Sequence, residues 1–250
     1  EAGTAITTGG NNIAIGYQTA PNNTTGSQNV AIGLKAMNQS TTGNNNIAIG
    51  FDALRYNSTG CHNTASGYRA LFSNTTASYN TAVGGCALCS NTTGHSNNTL
   101  GTHSLFKNTT GTMNVAIGRS ALYENTTASY NTAVGSCTLY ANTTGTENDA
   151  FGYQALKSNT CGNYNAAFGN IALRDNTTGI KNAAYSYGTL FQNTTGSLNT
   201  ALGHQALRSN TTASYNTAVG GCALYANTTG TKNVASGFQA LKSNTTANNN

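Results

Sequence analysis

Residues 216–232 read NTAVGGCALYANTTGTK, and residues 199–215 read NTALGHQALRSNTTASY; laid one over the other, they register without a gap. The segments on either side do the same, always at a step of 17 residues. With the leading Asn as position 1, glycine falls at position 5 in Gly16, Gly33, Gly50, Gly67, Gly84, Gly101, Gly118, Gly135, Gly152, Gly169, Gly203, Gly220 and Gly237, and Ser186 alone breaks the set. Fourteen copies run from residue 12 to residue 249 without an insertion, after a degenerate partial copy at 1–11, and Asn250 is position 1 of a further copy. The sequence therefore reads as a window on a longer array, with any targeting, capping or anchoring segment outside it. A strict short period of this kind is the signature of a solenoid, because one short unit cannot enclose a core and must bury its inner face against its neighbours.

Composition sharpens that reading. Only 7% of the residues are charged and there is a single proline, Pro21, whereas an ordinary globular chain carries about 25% charged residues. Asn, Thr, Gly, Ala and Ser dominate, and frequent Asn, Thr and Gly oppose helix. Lys plus Arg exceed Asp plus Glu by 11 minus 6, or +5. The cations are dispersed over the repeat, with five at position 10 (Arg55, Lys157, Arg174, Arg208 and Lys242) as a weak basic stripe. Phosphate recognition needs clustered cations, so nucleic acid is not an expected partner. No transmembrane run occurs in this stretch.

Within a copy, position 3 is Ala in thirteen of fourteen cases, with Thr99 the exception, and position 9 is Leu in twelve. Positions 1–5 read as a short strand, positions 7–10 as a second strand, and the NTTG segment at 12–15 as a turn closed by Gly or Ala. The expected fold is all-β, a parallel β-solenoid or β-roll of fourteen 17-residue coils with strands stacked about 4.8 Å apart. Alanine at 3 and 8 keeps the coil narrow, leaving Leu at 9 and the apolar residue at 4 as its two large core side chains. Stacking turns equal positions into ladders. Asn at position 1 occurs in all fourteen copies, as Asn12, Asn29, Asn46, Asn63, Asn80, Asn97, Asn114, Asn131, Asn148, Asn165, Asn182, Asn199, Asn216 and Asn233. An amide there has donors and acceptors for the coils on both sides, so this row is expected to be a structural ladder. Residues 131–160 and 216–245 agree at 24 of 30 positions across a separation of 85, five repeat lengths. The array reads as grown by block duplication.

The NxAIG strings, NIAIG at 12–16 and 46–50 and NVAIG at 29–33 and 114–118, resemble the AIG-type repeats in the heads of trimeric autotransporter adhesins. Related repeats occur in phage tail-fibre-like and environmental surface proteins. The resemblance implies left-handed parallel β-rolls in homotrimers, a place outside or on the cell, and a host or cell-surface ligand. The regular NTT is similar to what a naturally glycosylated extracellular fibril carries.

That triplet is also an N-glycosylation acceptor, Asn-X-Ser/Thr. Position 12 supplies it at Asn23, Asn57, Asn74, Asn91, Asn108, Asn125, Asn142, Asn176, Asn193, Asn210, Asn227 and Asn244. Copy two moves the Asn to Asn38 and has Ser40 at position 12, and copy nine offers the poorer Asn159-Thr160-Cys161. If the turn faces outward, the twelve acceptors form a row able to carry a sugar sheath, and N-linked glycans are the only covalent additions expected. The competing reading is that NTT is itself a turn and a ladder.

Other chemistry is sparse. Cys86, Cys137 and Cys222 share position 7 but lie three or more coils apart, beyond disulfide reach. Cys86 and Cys89 form a lone CxxC, which without a second pair or a suitably placed His is weak evidence for zinc or redox chemistry, and Cys61 and Cys161 are isolated. His62, His95, His103 and His204 occupy four different positions, and Glu147 and Asp149 are the only near pair of acids. No nucleophile–base constellation, cofactor or metal is expected, and the chain reads as a non-enzyme. Ice binding would need a flat array of outward Thr, which adjacent threonines such as Thr75 and Thr76 do not give in an extended chain. The expected role is a structural fibre or filament protein that self-associates as a homotrimer or filament, with an adhesin or phage-fibre module as the alternative.

Overall fold

The computed structural model describes residues 1–5 and 7–250; Ile6, inside the partial copy at 1–11, lies outside the described residues. The chain forms two compact units, Glu1–Ala128 and Ser129–Asn250. The first holds strands β1 (Ile13–Ile15), β2 (Val30–Ile32), β3 (Ile47–Ile49), β4 (Thr64–Ser66), β5 (Thr81–Val83), β6 (Asn98–Leu100) and β7 (Val115–Ile117). The second holds β8 (Thr132–Val134), β9 (Asp149–Phe151), β10 (Ala166–Phe168), β11 (Ala183–Tyr185), β12 (Thr200–Leu202), β13 (Thr217–Val219) and β14 (Val234–Ser236). In both units each strand pairs in parallel with the next, and every partner is displaced by one repeat: Ala48 faces Ala65, and Ala167 faces Ala184. The fold is a parallel β-solenoid with one 17-residue coil per sequence repeat, and no helix occurs among the described residues.

Each coil has one strand, not two. The strand covers positions 2–4 only, and positions 6–11 form turns. The cause lies in the backbone at positions 7 and 9, which is left-handed in copy after copy: φ is 51° at Arg69 and 50° at Leu71, 57° at Gln154 and 51° at Leu156. An extended segment would send neighbouring side chains to opposite faces. Here the curl turns positions 8 and 9 inward together, and Ala70 with Leu71, or Ala155 with Leu156, are fully buried. The unusual φ of these leucines is offset by that burial and by hydrogen bonds between coils, as where the Leu54 N–H donates to the Ala70 carbonyl at 2.9 Å.

The second correction concerns position 4. Because Ala at position 3 points inward, alternation along the strand sends positions 2 and 4 outward. Ile15 is 58% exposed and Leu202 50%, so position 4 is surface, and the leucine at position 9 is the one large apolar core residue of a typical coil. Glycine at position 5 makes the close approach between coils possible: φ is +134° at Gly50, and a Cβ there would lie 2.5 Å from the Gly67 carbonyl oxygen.

Polar groups fill the rest of the interior. Thirteen of the position-1 asparagines, Asn29 through Asn233, are buried, and Asn12 is half-buried. Asn46 shows the pattern: its Oδ1 accepts from both the main-chain N–H and the Nδ2 of Asn63, at 3.0 and 3.1 Å. Its own Nδ2 donates to Asn29 Oδ1 at 3.2 Å and to the Gly60 carbonyl at 2.8 Å. Two donor hydrogens and two acceptor sites are thus all used, which is the condition for burying an amide without loss.

Candidate functional surface

The structure places the expected glycan row inside the coil. Asn23, Asn57, Asn74, Asn91, Asn108, Asn125, Asn142, Asn176, Asn193, Asn210 and Asn227 are buried to within 1% of complete, as is Asn159, and Asn244 is half-buried. Asn74 Nδ2 donates to Asn57 Oδ1 at 2.8 Å and to the Ala77 carbonyl at 3.0 Å, and Asn91 repeats the arrangement on Asn74 and Gly94. Both hydrogens of the nitrogen that would carry a sugar are engaged inside the coil. Position 12 is a second amide column, and the turn it starts has its Asn folded beneath it. A glycan there would require the coil to open.

The column also explains an orphan. In copy two Ser40 takes position 12, and its buried Oγ has no hydrogen-bond partner. The hydroxyl is too short to bridge the coils on either side. Asn38, to which copy two moves its acceptor triplet, donates from Nδ2 to the Gln18 carbonyl at 3.0 Å.

Position 13 makes a third ladder, of hydroxyl on carbonyl: Thr75 Oγ1 donates to the Thr92 carbonyl at 3.1 Å, and Thr92 Oγ1 to the Thr109 carbonyl at 3.0 Å. Position 14 threonines such as Thr76 and Thr93 are exposed. Exposed threonine therefore runs in single file at this turn, and a two-dimensional lattice match to ice needs more than one file.

The outward face of the strands is the most distinctive surface. Positions 2 and 4 together make 28 places, and Asp149 is the only charged residue among them. Ile13, Ile47, Ile49, Leu100, Ile117, Leu202 and Val234 are exposed on this face. Tyrosines flank it on both sides: Tyr17, Tyr68, Tyr153 and Tyr187 at position 6, and Tyr79, Tyr130, Tyr164 and Tyr215 at position 17, all exposed. In the second unit Phe151, Phe168 and Tyr185 stack in a column at 4.8 and 5.1 Å, with ring planes within 10° of each other. Rings stacked face to face along the array present their edges to solvent. The stacking of a sugar needs free ring faces, so this column does not offer a carbohydrate platform. In the first unit a shallow dent on the same face is lined by Thr81, Val83, Asn98, Thr99, Leu100 and Ile117.

Three of the five basic residues at position 10 are engaged by neighbouring side chains. Arg55 pairs with Asp52 at 3.3 Å, Arg174 pairs with Asp175 at 2.8 Å and lies 4.0 Å from the Phe191 ring centre, and Arg208 sits 5.2 Å from the same ring centre. His62 stacks on Tyr79 and His204 on Tyr187. Among the described residues, no three His, Cys, Asp or Glu side chains come together as a metal site, and no helix is long and apolar enough to cross a membrane.

Sequence reasoning missed the outer face although its signal was present. Inward Ala at position 3, between two uncharged positions, fixes which side of the strand points out. Compared with protein-family models, curated proteins and solved structures, the chain matches none. Its class is defined by its own geometry: a tandem-repeat β-solenoid with stacked asparagine columns.

Proposed function

We propose that this chain is a structural module of an extracellular or cell-surface fibre, non-catalytic, whose coils supply rigid length and whose strand face binds further copies of the same chain. The observation that carries the reading is the outer face of positions 2 and 4, where Val, Ile, Leu, Phe or Tyr takes 10 of 14 places in the first unit and 7 of 14 in the second although the side chains point outward. Surfaces that stay in water seldom line up large apolar side chains in this way. Seven strands at about 4.8 Å, two residue steps wide, give each unit roughly 200 Å² of this face, and the flanking positions 17 and 6, which hold the tyrosines but also Arg119, Glu147, Lys181 and Lys232, widen it to roughly 600 Å², against the ~800 Å² per partner of a standard interface. The resemblance of the NxAIG strings to adhesin heads and phage-fibre modules supports an extracellular place and self-association. A ligand on another cell is the role that an adhesin would add.

The test is the mass of the assembly by light scattering and sedimentation. The parent chain is expected as a multichain species, and a triple variant, Ile49→Lys and Leu100→Lys in the first unit with Leu202→Lys in the second, as a monomer with an unchanged circular dichroism spectrum. All three positions are exposed, so the fold tolerates the change. A parent chain that remains monomeric at high concentration overturns the association reading.

A further inference from the structure

Copy five is the only copy with cysteine at both position 7 and position 10, Cys86 and Cys89. Positions 7–10 form a tight turn. In copies two, nine and fourteen the position-10 N–H donates to the position-7 carbonyl, Asn38 to Lys35 at 3.3 Å, Lys157 to Gln154 at 3.3 Å and Lys242 to Gln239 at 3.1 Å. Copy five has the same backbone, with φ of 55° at Cys86 and 50° at Leu88 against 57° and 51° at Gln154 and Leu156. A turn of this kind brings its outer Cα atoms within about 7 Å, and a disulfide spans about 4.4–6.8 Å. Cys89 is buried, Cys86 is half-buried, and both thiols are free.

We propose that Cys86 and Cys89 are a redox-active dithiol that closes to a disulfide across this turn by exchange with a small soluble disulfide. The more accessible Cys86 acts first. As thiolate, its proton given to solvent, it attacks one sulfur of the small disulfide; a mixed disulfide forms, and the other half leaves as a thiolate. Cys89 then attacks the Cys86 sulfur, passing its proton to a departing thiolate, and displaces the second half. Two protein thiols are oxidised to one disulfide, and one small disulfide is reduced to two thiols. Burial, and then Cys86 itself, push the Cys89 thiol up to about 11, with Arg69 on the preceding coil acting in the opposite sense. That order suits Cys89 to the resolving role, since a buried protonated thiol is a poor first nucleophile. Cys137 and Cys222 occupy position 7 with Tyr140 and Tyr225 at position 10, so they have the entry thiol without the resolving one.

The experiment treats the full chain with oxidised glutathione at pH 8, alkylates the remaining thiols and maps tryptic peptides by mass spectrometry. Residues 70–107, cut after Arg69 and Lys107, carry Cys86 and Cys89 and no other cysteine. The expected result is this peptide lighter by two hydrogens, with no glutathione and no alkyl group, while Cys137 stops at a glutathione adduct. In Cys89→Ser, Cys86 is expected to stop at the adduct as well; in Cys86→Ser, Cys89 is expected to be alkylated only after unfolding. Two adducts on the parent peptide, or two alkyl groups after the exposed Cys161 has fully reacted, would overturn the proposal.

Discussion

At the scale of single residues, the interior is decided by side chains that reach one coil and no further. An Asn at position 12 spans the gap to the preceding coil with its amide, as Asn74 does to Asn57; Ser40, one bond shorter, does not, and its oxygen is left without a partner. Ser40→Asn should therefore complete the column from Asn23 to Asn57, raising the unfolding free energy by about 1 kcal/mol, the net value of a buried hydrogen bond. Chemical denaturation of the two chains checks it, and a loss of stability would show that copy two has packed around the serine. The opposite case is Asn74→Asp, which puts an acceptor where two donors are needed. It should cost about 3 kcal/mol or more, well beyond Asn74→Ala, because a buried carboxylate would face the Asn57 and Ala77 oxygens. Glycine follows the same local logic. Position 5 has φ near +130°, and Ser186 alone holds that conformation with a side chain, at 123°; position 15 lacks a positive φ and accepts Ala77, Ala128 and Ala213.

At the scale of the coil, one large apolar residue carries the dry part of the core. Leu105, fully buried between Leu88 and Leu122, should cost about 2–5 kcal/mol when cut to Ala. A thermal melt that moved by no more than the surface change Thr110→Ala would contradict that packing. The coil also marks where the sequence was legible. The gapless 17-residue step fixed the register of every strand pair, and inward Ala48 or Ala133 followed from the recurrence of Ala at position 3. The segments CALC at 86–89 and CALY at 222–225 did not reveal their turn. Their apolar residues suit a strand locally, and only contact with the next coil makes left-handed backbone at Cys86 and Leu88 worthwhile. The acceptor triplet left two readings open for a related reason: Asn-Thr-Thr has the same letters whether its amide faces water or the axis, and what draws it inward is the carbonyl of Ala77 or Gly94 three residues on, free to receive it.

At the scale of the whole molecule, the buried acceptors predict a protein whose mass is that of its sequence. Treatment with an endoglycosidase specific for N-linked sugars should leave the intact mass unchanged; a drop at any of Asn57 to Asn227 would show that these coils open during maturation. The amide columns carry a further consequence, because they have a direction. Within each unit every position-1 amide that reaches along the stack donates to the coil before it, Asn63 to Asn46 and Asn165 to Asn148, and the position-12 column runs the same way, Asn108 to Asn91 and Asn193 to Asn176. Each stack is thus vectorial, with an acceptor row at one end and a donor row at the other. A coil from another chain can extend it only head to tail, since two like ends would meet donor against donor or acceptor against acceptor. Growth along the axis would be one-way in sense, whereas the outer strand face places no such condition on copies lying side by side.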